Sequence, residues 1–136
     1  MKRILITQNF RNILKKLKKH FNEQDNLDDI KEFIRIGLRK GEAKLTTEVF
    51  GNVTVEIVKL RIRVHNSVGR YLIGIIDGSE YLPIFIDLKT GYYGKNMALN
   101  ADKKVASMLE SALENSLTDY LEHTEENPRL TKYIIE

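Results

Sequence analysis

The sequence predicts an α+β fold: an N-terminal helical hairpin packed on a three- to four-stranded antiparallel sheet, with a C-terminal helix. Two changes of period carry this. Apolar residues recur at three- and four-residue spacing from Phe10 to Leu38 and again from Val105 to Leu121, the period of an amphipathic helix. Between them, from Val53 to Leu88, the period drops to two, the mark of strands. A length of 136 residues suits one domain spanning 1–136, and 42% hydrophobic residues can build a core without staples.

Taken in order, Ile4, Leu5 and Ile6 suit a short edge strand. Phe10, Ile13, Leu14, Leu17 and Phe21 form the stripe of a first helix, with Arg11, Lys15, Lys16, Lys18 and Lys19 on its other faces. Polar residues 22–26 break the pattern, and Asp25 or Asn26 can cap a second helix. Leu27, Ile30, Phe33, Ile34 and Leu38 carry that helix to a stop at Gly41. The two read as an antiparallel hairpin.

Gly51-Asn52 is a turn signal. From there Val58, Leu60, Ile62 and Val64 point one way, and Lys59, Arg61, Arg63 and His65 the other. After a turn at 66–69 the next strand puts Tyr71, Ile73 and Ile75 on one face. After Asp77-Gly78 the third puts Leu82, Ile84, Ile86 and Leu88 on one face, with Pro83 suited to an edge. The three make an antiparallel meander, so the seven buried positions expected under the helices are Val58, Leu60, Ile62, Ile73, Ile75, Ile84 and Ile86. A glycine-punctuated loop at 90–96 leads to a third helix capped near Asn100. Pro128 lies beyond its end, and Tyr133-Ile134-Ile135 is a terminal strand or a docking tail.

Composition removes several functions. With no cysteine there is no disulfide, thiol nucleophile or iron–sulfur cluster. His20, His65 and His123 lack ligand spacing, so no metal site is expected, and no nucleotide-binding glycine motif implies a cofactor. There is no secretory signal and no apolar run long enough to span a membrane, so a soluble cytoplasmic protein without membrane contact is expected. Charge is uneven. Residues 1–40 hold 11 Lys/Arg against 5 Asp/Glu, or +6, and residues 101–136 hold 4 against 8, or −4. The front of the chain suits a polyanion; the end does not.

The alternation on the central strand is the most informative feature. Burying Lys59, Arg61 and Arg63 would cost several kcal/mol each, so their face must meet water or an anion. Arg70 and Lys89 lie on neighbouring strands, and Tyr92, Tyr93 and Lys95 follow in a loop that can reach the same face. Arginine offers bidentate donors to phosphate, and tyrosine a surface for base stacking.

This layout resembles the RelE/ParE superfamily of toxins from type II toxin–antitoxin modules, over about residues 7–96. The resemblance rests on a basic helix pair, the Lys59-Leu-Arg61-Ile-Arg63 strand, the turn into Gly69-Arg70-Tyr71 and a late basic-tyrosine segment. Members often read Gly-Tyr-Arg at that turn and end before an extension such as 98–136. In the RelE branch, the resemblance implies ribosome-dependent mRNA cleavage by 2′-hydroxyl attack on the adjacent phosphate. The residues it would employ in catalysis are Arg61, Arg63, His65, Arg70, Lys89, Tyr92 and Tyr93, with Lys15, Lys16, Lys18, Lys19, Lys59 and Lys95 binding nucleic acid. The implied partners are a cognate antitoxin, mRNA and the ribosome; separately, the apolar stripe of the C-terminal helix needs a partner surface, either its own domain or a second copy in a homodimer. The ParE branch implies instead a non-enzymatic block of a protein such as DNA gyrase. A nontoxic interaction domain is the remaining alternative.

Overall fold

A computed structural model describes residues 1–97 and 102–135. Among them six strands and four helices follow in the order β1 (Lys2–Thr7), α1 (Gln8–Lys15), α2 (Glu23–Ile36), β2 (Ala43–Phe50), β3 (Val53–Val64), β4 (Ser67–Ile76), β5 (Glu80–Leu88), α3 (Tyr92–Lys95), α4 (Lys103–Glu122) and β6 (Leu130–Ile135). The strands form one mixed sheet in the order β2-β3-β4-β5-β1-β6. β1 runs parallel to β5; the other pairings are antiparallel.

This corrects the expected layout of a helical hairpin on a three- to four-stranded antiparallel sheet. The first helix ends at Lys15, and residues 16–20 continue as turns. Thr7 caps α1 directly off β1, its hydroxyl accepting from the Phe10 N–H. α1 packs on β5, β1 and α4, while α2 packs on β3, so the two are not arms of a hairpin. α2 begins one turn earlier than expected. Asn22 and Asp25 form a reciprocal capping box, and the helix stops at Gly37 (φ 81°) rather than Gly41. The cap expected near Asn100 lies outside the described residues; α4 is capped by Asp102.

The strand at 4–6 is interior, not an edge. Ile4, Leu5 and Ile6 are all fully buried, because β1 lies between β5 and β6 with helices on both faces. A continuous apolar run is what a strand covered on both faces requires. Pro83 likewise sits inside the sheet. The β4–β5 register slips beside it, with Leu72 opposite Phe85 and Ile73 opposite Pro83, which leaves Ile84 as the extra residue of a bulge. The bulge inverts the alternation. Ile86 joins the α1–α2 side with Val58, Leu60, Ile62 and Ile73. Leu82 and Ile84 instead join the α4 side with Leu5, Ile57, Leu72, Val105 and Leu109. Ile75 is only half-buried. The helices thus cover the sheet from both sides, with one apolar core per face. No described helix is long and apolar enough to cross a membrane.

Candidate nucleic-acid interface

β3 begins as core and ends as a cationic ridge on the same face. Val55 and Ile57 pack under α4; two residues on, Lys59 and then Arg61 and Arg63 leave that cover. Lys59 pairs with Leu72, Arg61 with Arg70, and Arg63 with Val68. Arg70 pairs in turn with Asp87 on β5. The expected cluster of Lys59, Arg61, Arg63 and Arg70 is therefore brought together on two adjacent strands. None of the four forms an ion pair with a described residue.

Asp87 forms no ion pair with Arg70; its carboxylate accepts from backbone instead. One oxygen accepts from the Tyr93 N–H at 3.1 Å and the Gly94 N–H at 3.0 Å; the other accepts from its own neighbour Leu88 at 2.8 Å. Arg70 donates instead to the Gly94 carbonyl at 3.1 Å. The short α3 is thereby strapped to β4 and β5. Gly94 is required there, since a Cβ would overlap the Leu88 carbonyl. The strap sets the loop residues. Tyr93 is half-buried edge-on against Phe85 and is a packing residue. Tyr92 is 47% exposed; its hydroxyl donates to Asp102 at 3.3 Å, and the Lys104 ammonium lies over its ring. Lys89 and Lys95 flank the strap and are exposed.

A second network holds the far side of the ridge. β2 begins at Ala43, opposite Lys59, so Arg61 has no strand partner on its outer side. Side chains complete the ladder. Glu42 accepts from the Arg61 N–H at 2.7 Å, and Arg39 donates to the Arg61 carbonyl at 3.1 Å. Arg39 also forks onto Asp29 at 2.7 and 2.9 Å and contacts Glu42 at 2.6 Å. The Tyr71 hydroxyl donates to Asp29. Asp29 and then Glu42 raise the Arg39 pKa. Burial alone would raise the Glu42 carboxyl, but Arg39 and the two backbone N–H groups hold it below its ordinary 4.5. Burial, then Asp29, push the Tyr71 phenol well above 10. Gly41 (φ 84°) lets the Arg61 side chain lie across the backbone, since a Cβ there would stand 2.9 Å from its Cδ.

The remaining expected residues are elsewhere. His65 is the exposed turn residue at φ 53°, four positions along from Arg61, or roughly 13 Å at strand spacing. Lys15, Lys16, Lys18 and Lys19 are exposed, but they end or follow α1, whose Phe10 and Leu14 belong to the opposite side of the sheet. Asp87, Glu42, Asp29 and Arg39 support the site without being candidates from the sequence pattern. Asp87 stands three residues before Thr90-Gly91, yet its partners lie one, six and seven residues on, so no local turn signal marks it. The network residues are spread over 43 positions from Asp29 to Tyr71 and left none. Among the described residues no cluster of His, Asp or Glu fits a metal ion.

In comparisons with known proteins, the chain matches no family model, no curated protein and no solved structure.

Proposed function

We propose that this chain is a RelE-like toxin that binds single-stranded RNA along the Lys59–Arg61–Arg63–Arg70 ridge and cleaves it on the ribosome. The observation that carries the reading is the direct opposition of Arg61 and Arg70, both without a carboxylate partner among the described residues. A phosphodiester oxygen seated between them would receive two guanidinium donors. In the reaction, the 2′-hydroxyl oxygen attacks phosphorus and the bond to the 5′-oxygen breaks. A 2′,3′-cyclic phosphate and a 5′-hydroxyl form, and one proton passes from the 2′-oxygen to the leaving oxygen. Arg61 and Arg70 stabilise the charge on the phosphoryl oxygens. Lys59, Arg63, Lys89 and Lys95 track neighbouring phosphates, and Tyr92 offers a stacking ring. The fitting partners are mRNA, the ribosome and an antitoxin that masks the ridge, all in the cytoplasm.

A second reading, a ParE-like block of a protein target without cleavage, is favoured by one observation. The expected proton carriers are dispersed: His65 stands away from the arginines, Tyr93 is packed, and the Tyr92 hydroxyl is engaged by Asp102. The experiment that separates the two is ribosome-dependent cleavage of mRNA by the purified protein. Cleavage lost in Arg61→Ala and Arg70→Ala supports the first reading. Neither cleavage nor RNA binding, with inhibition of a protein target such as DNA gyrase, supports the second.

A further inference from the structure

α4 covers the centre of the sheet and leaves a groove along its flank. The groove encloses about 220 Å³ between α4 and β2–β3. Its floor is apolar, built from Ile57, Leu72 and Ile84, and Leu109 and Leu113 form one wall. Its rim is acidic. Glu110 and Glu114, one turn apart on α4, face Glu48 of β2 across the opening. All three are exposed, and none forms an ion pair with a described residue. β2 is also an outer strand of the sheet.

We infer that this groove docks a cationic amphipathic segment of a partner protein, with aliphatic side chains on the floor and lysines or arginines against the three glutamates. The apolar floor selects aliphatic side chains. The unpaired carboxylates select their charge and repel nucleic acid and anionic lipid. The groove adjoins the ridge, since its floor residue Leu72 pairs with Lys59, but docking there does not depend on the ridge's function.

The probe is a fluorescent synthetic peptide of leucine and lysine, measured by anisotropy against the full chain, beside an analogue with glutamate for lysine. The lysine peptide is expected to bind at least tenfold more tightly than the analogue. Glu110→Gln with Glu114→Gln should weaken it about 3- to 10-fold, whereas Glu125→Gln with Glu126→Gln should not. Ala106→Trp, which fills the groove, should abolish binding while the protein still unfolds cooperatively. Equal binding of both peptides, or wild-type binding by the Glu110/Glu114 variant, overturns the inference. So does a dimer of the chain that dissociates in that variant, which would assign the groove to the Lys15–Lys19 stretch of a second copy.

Discussion

Arg61 and Arg70 stand directly opposite each other across β3 and β4, like charge against like charge. Such a pair destabilises a ladder. The fold nevertheless fixes it from both sides, Glu42 and Arg39 holding the Arg61 backbone and the Gly94 carbonyl holding the Arg70 guanidinium. Stability is therefore spent at the place where anion binding is proposed. Arg61→Gln should leave unfolding free energy unchanged or raise it by about 0.2–1 kcal/mol at low salt. Urea denaturation reads this. A loss above about 2 kcal/mol would make Arg61 a structural residue instead.

The Asp29–Arg39–Glu42 network, which holds the Arg61 backbone, predicts a large effect on stability. The Glu42 side chain is fully buried, so Arg39→Met strands its charge. Breaking such a pair costs about 3 kcal/mol. The loss should appear as a lower urea midpoint with unchanged slope. Glu42→Gln should also destabilise, because both carboxylate oxygens accept and the amide NH2 would face N–H donors.

Acid should act through the same group. Glu42 and Glu23 both have folded pKa values below 4.5, Glu23 chiefly through its bond from Arg11. A lowered carboxyl pKa stabilises the fold above the unfolded value and loses that contribution as pH falls through the folded value. Unfolding free energy should be flat above about pH 5.5 and fall steadily below about 4.5. Urea midpoints across that range test this, and the fall should be shallower in Glu42→Gln.

Helix, strand and turn types were legible wherever one face is buried and the other wet. The alternation from Val58 to Val64 identified the α2-facing core of β3, and Gly51-Asn52 and Asp77-Gly78 marked real turns. The pattern failed where both faces are covered. Ile4, Leu5 and Ile6 show no alternation, so an interior strand looked like an edge. The Ile84 bulge reversed the facing of Leu82 without any sign beyond Pro83. At the candidate site, the basic residues of β3 and β4 were legible because charged residues cannot alternate into a core. Their surroundings were not, because the Asp87 strap and the Arg39–Glu42 ladder depend on tertiary register.

The strap itself makes a prediction. Gly94→Ala must displace α3 from the Leu88 carbonyl and free the Arg70 guanidinium. RNA cleavage should fall more than RNA binding, since Arg70 would still carry its charge but lose its orientation. Single-turnover rates at saturating RNA separate the two; an equal fall in both would place the defect in folding or binding.

The C-terminal segment is integral to the sheet rather than an appendage. α4 covers Leu5, Ile57 and Leu72, and β6 pairs with β1 along its full length. Deleting residues 98–136 should therefore expose one whole core and give an aggregated product. A monomeric, cooperatively unfolding truncation by light scattering would contradict this.

The most direct test of the central claim is ribosome-dependent mRNA cleavage by purified wild type, Arg61→Ala and Arg70→Ala, with a salt titration of RNA binding for each. The proposed chemistry predicts a fall of about 100- to 1,000-fold in rate for either variant. It also predicts a salt slope reduced by about 0.7 per lost phosphate contact. Rates within a few-fold of wild type in both variants, with unchanged slopes, would contradict it and leave the ridge a solvated sheet surface.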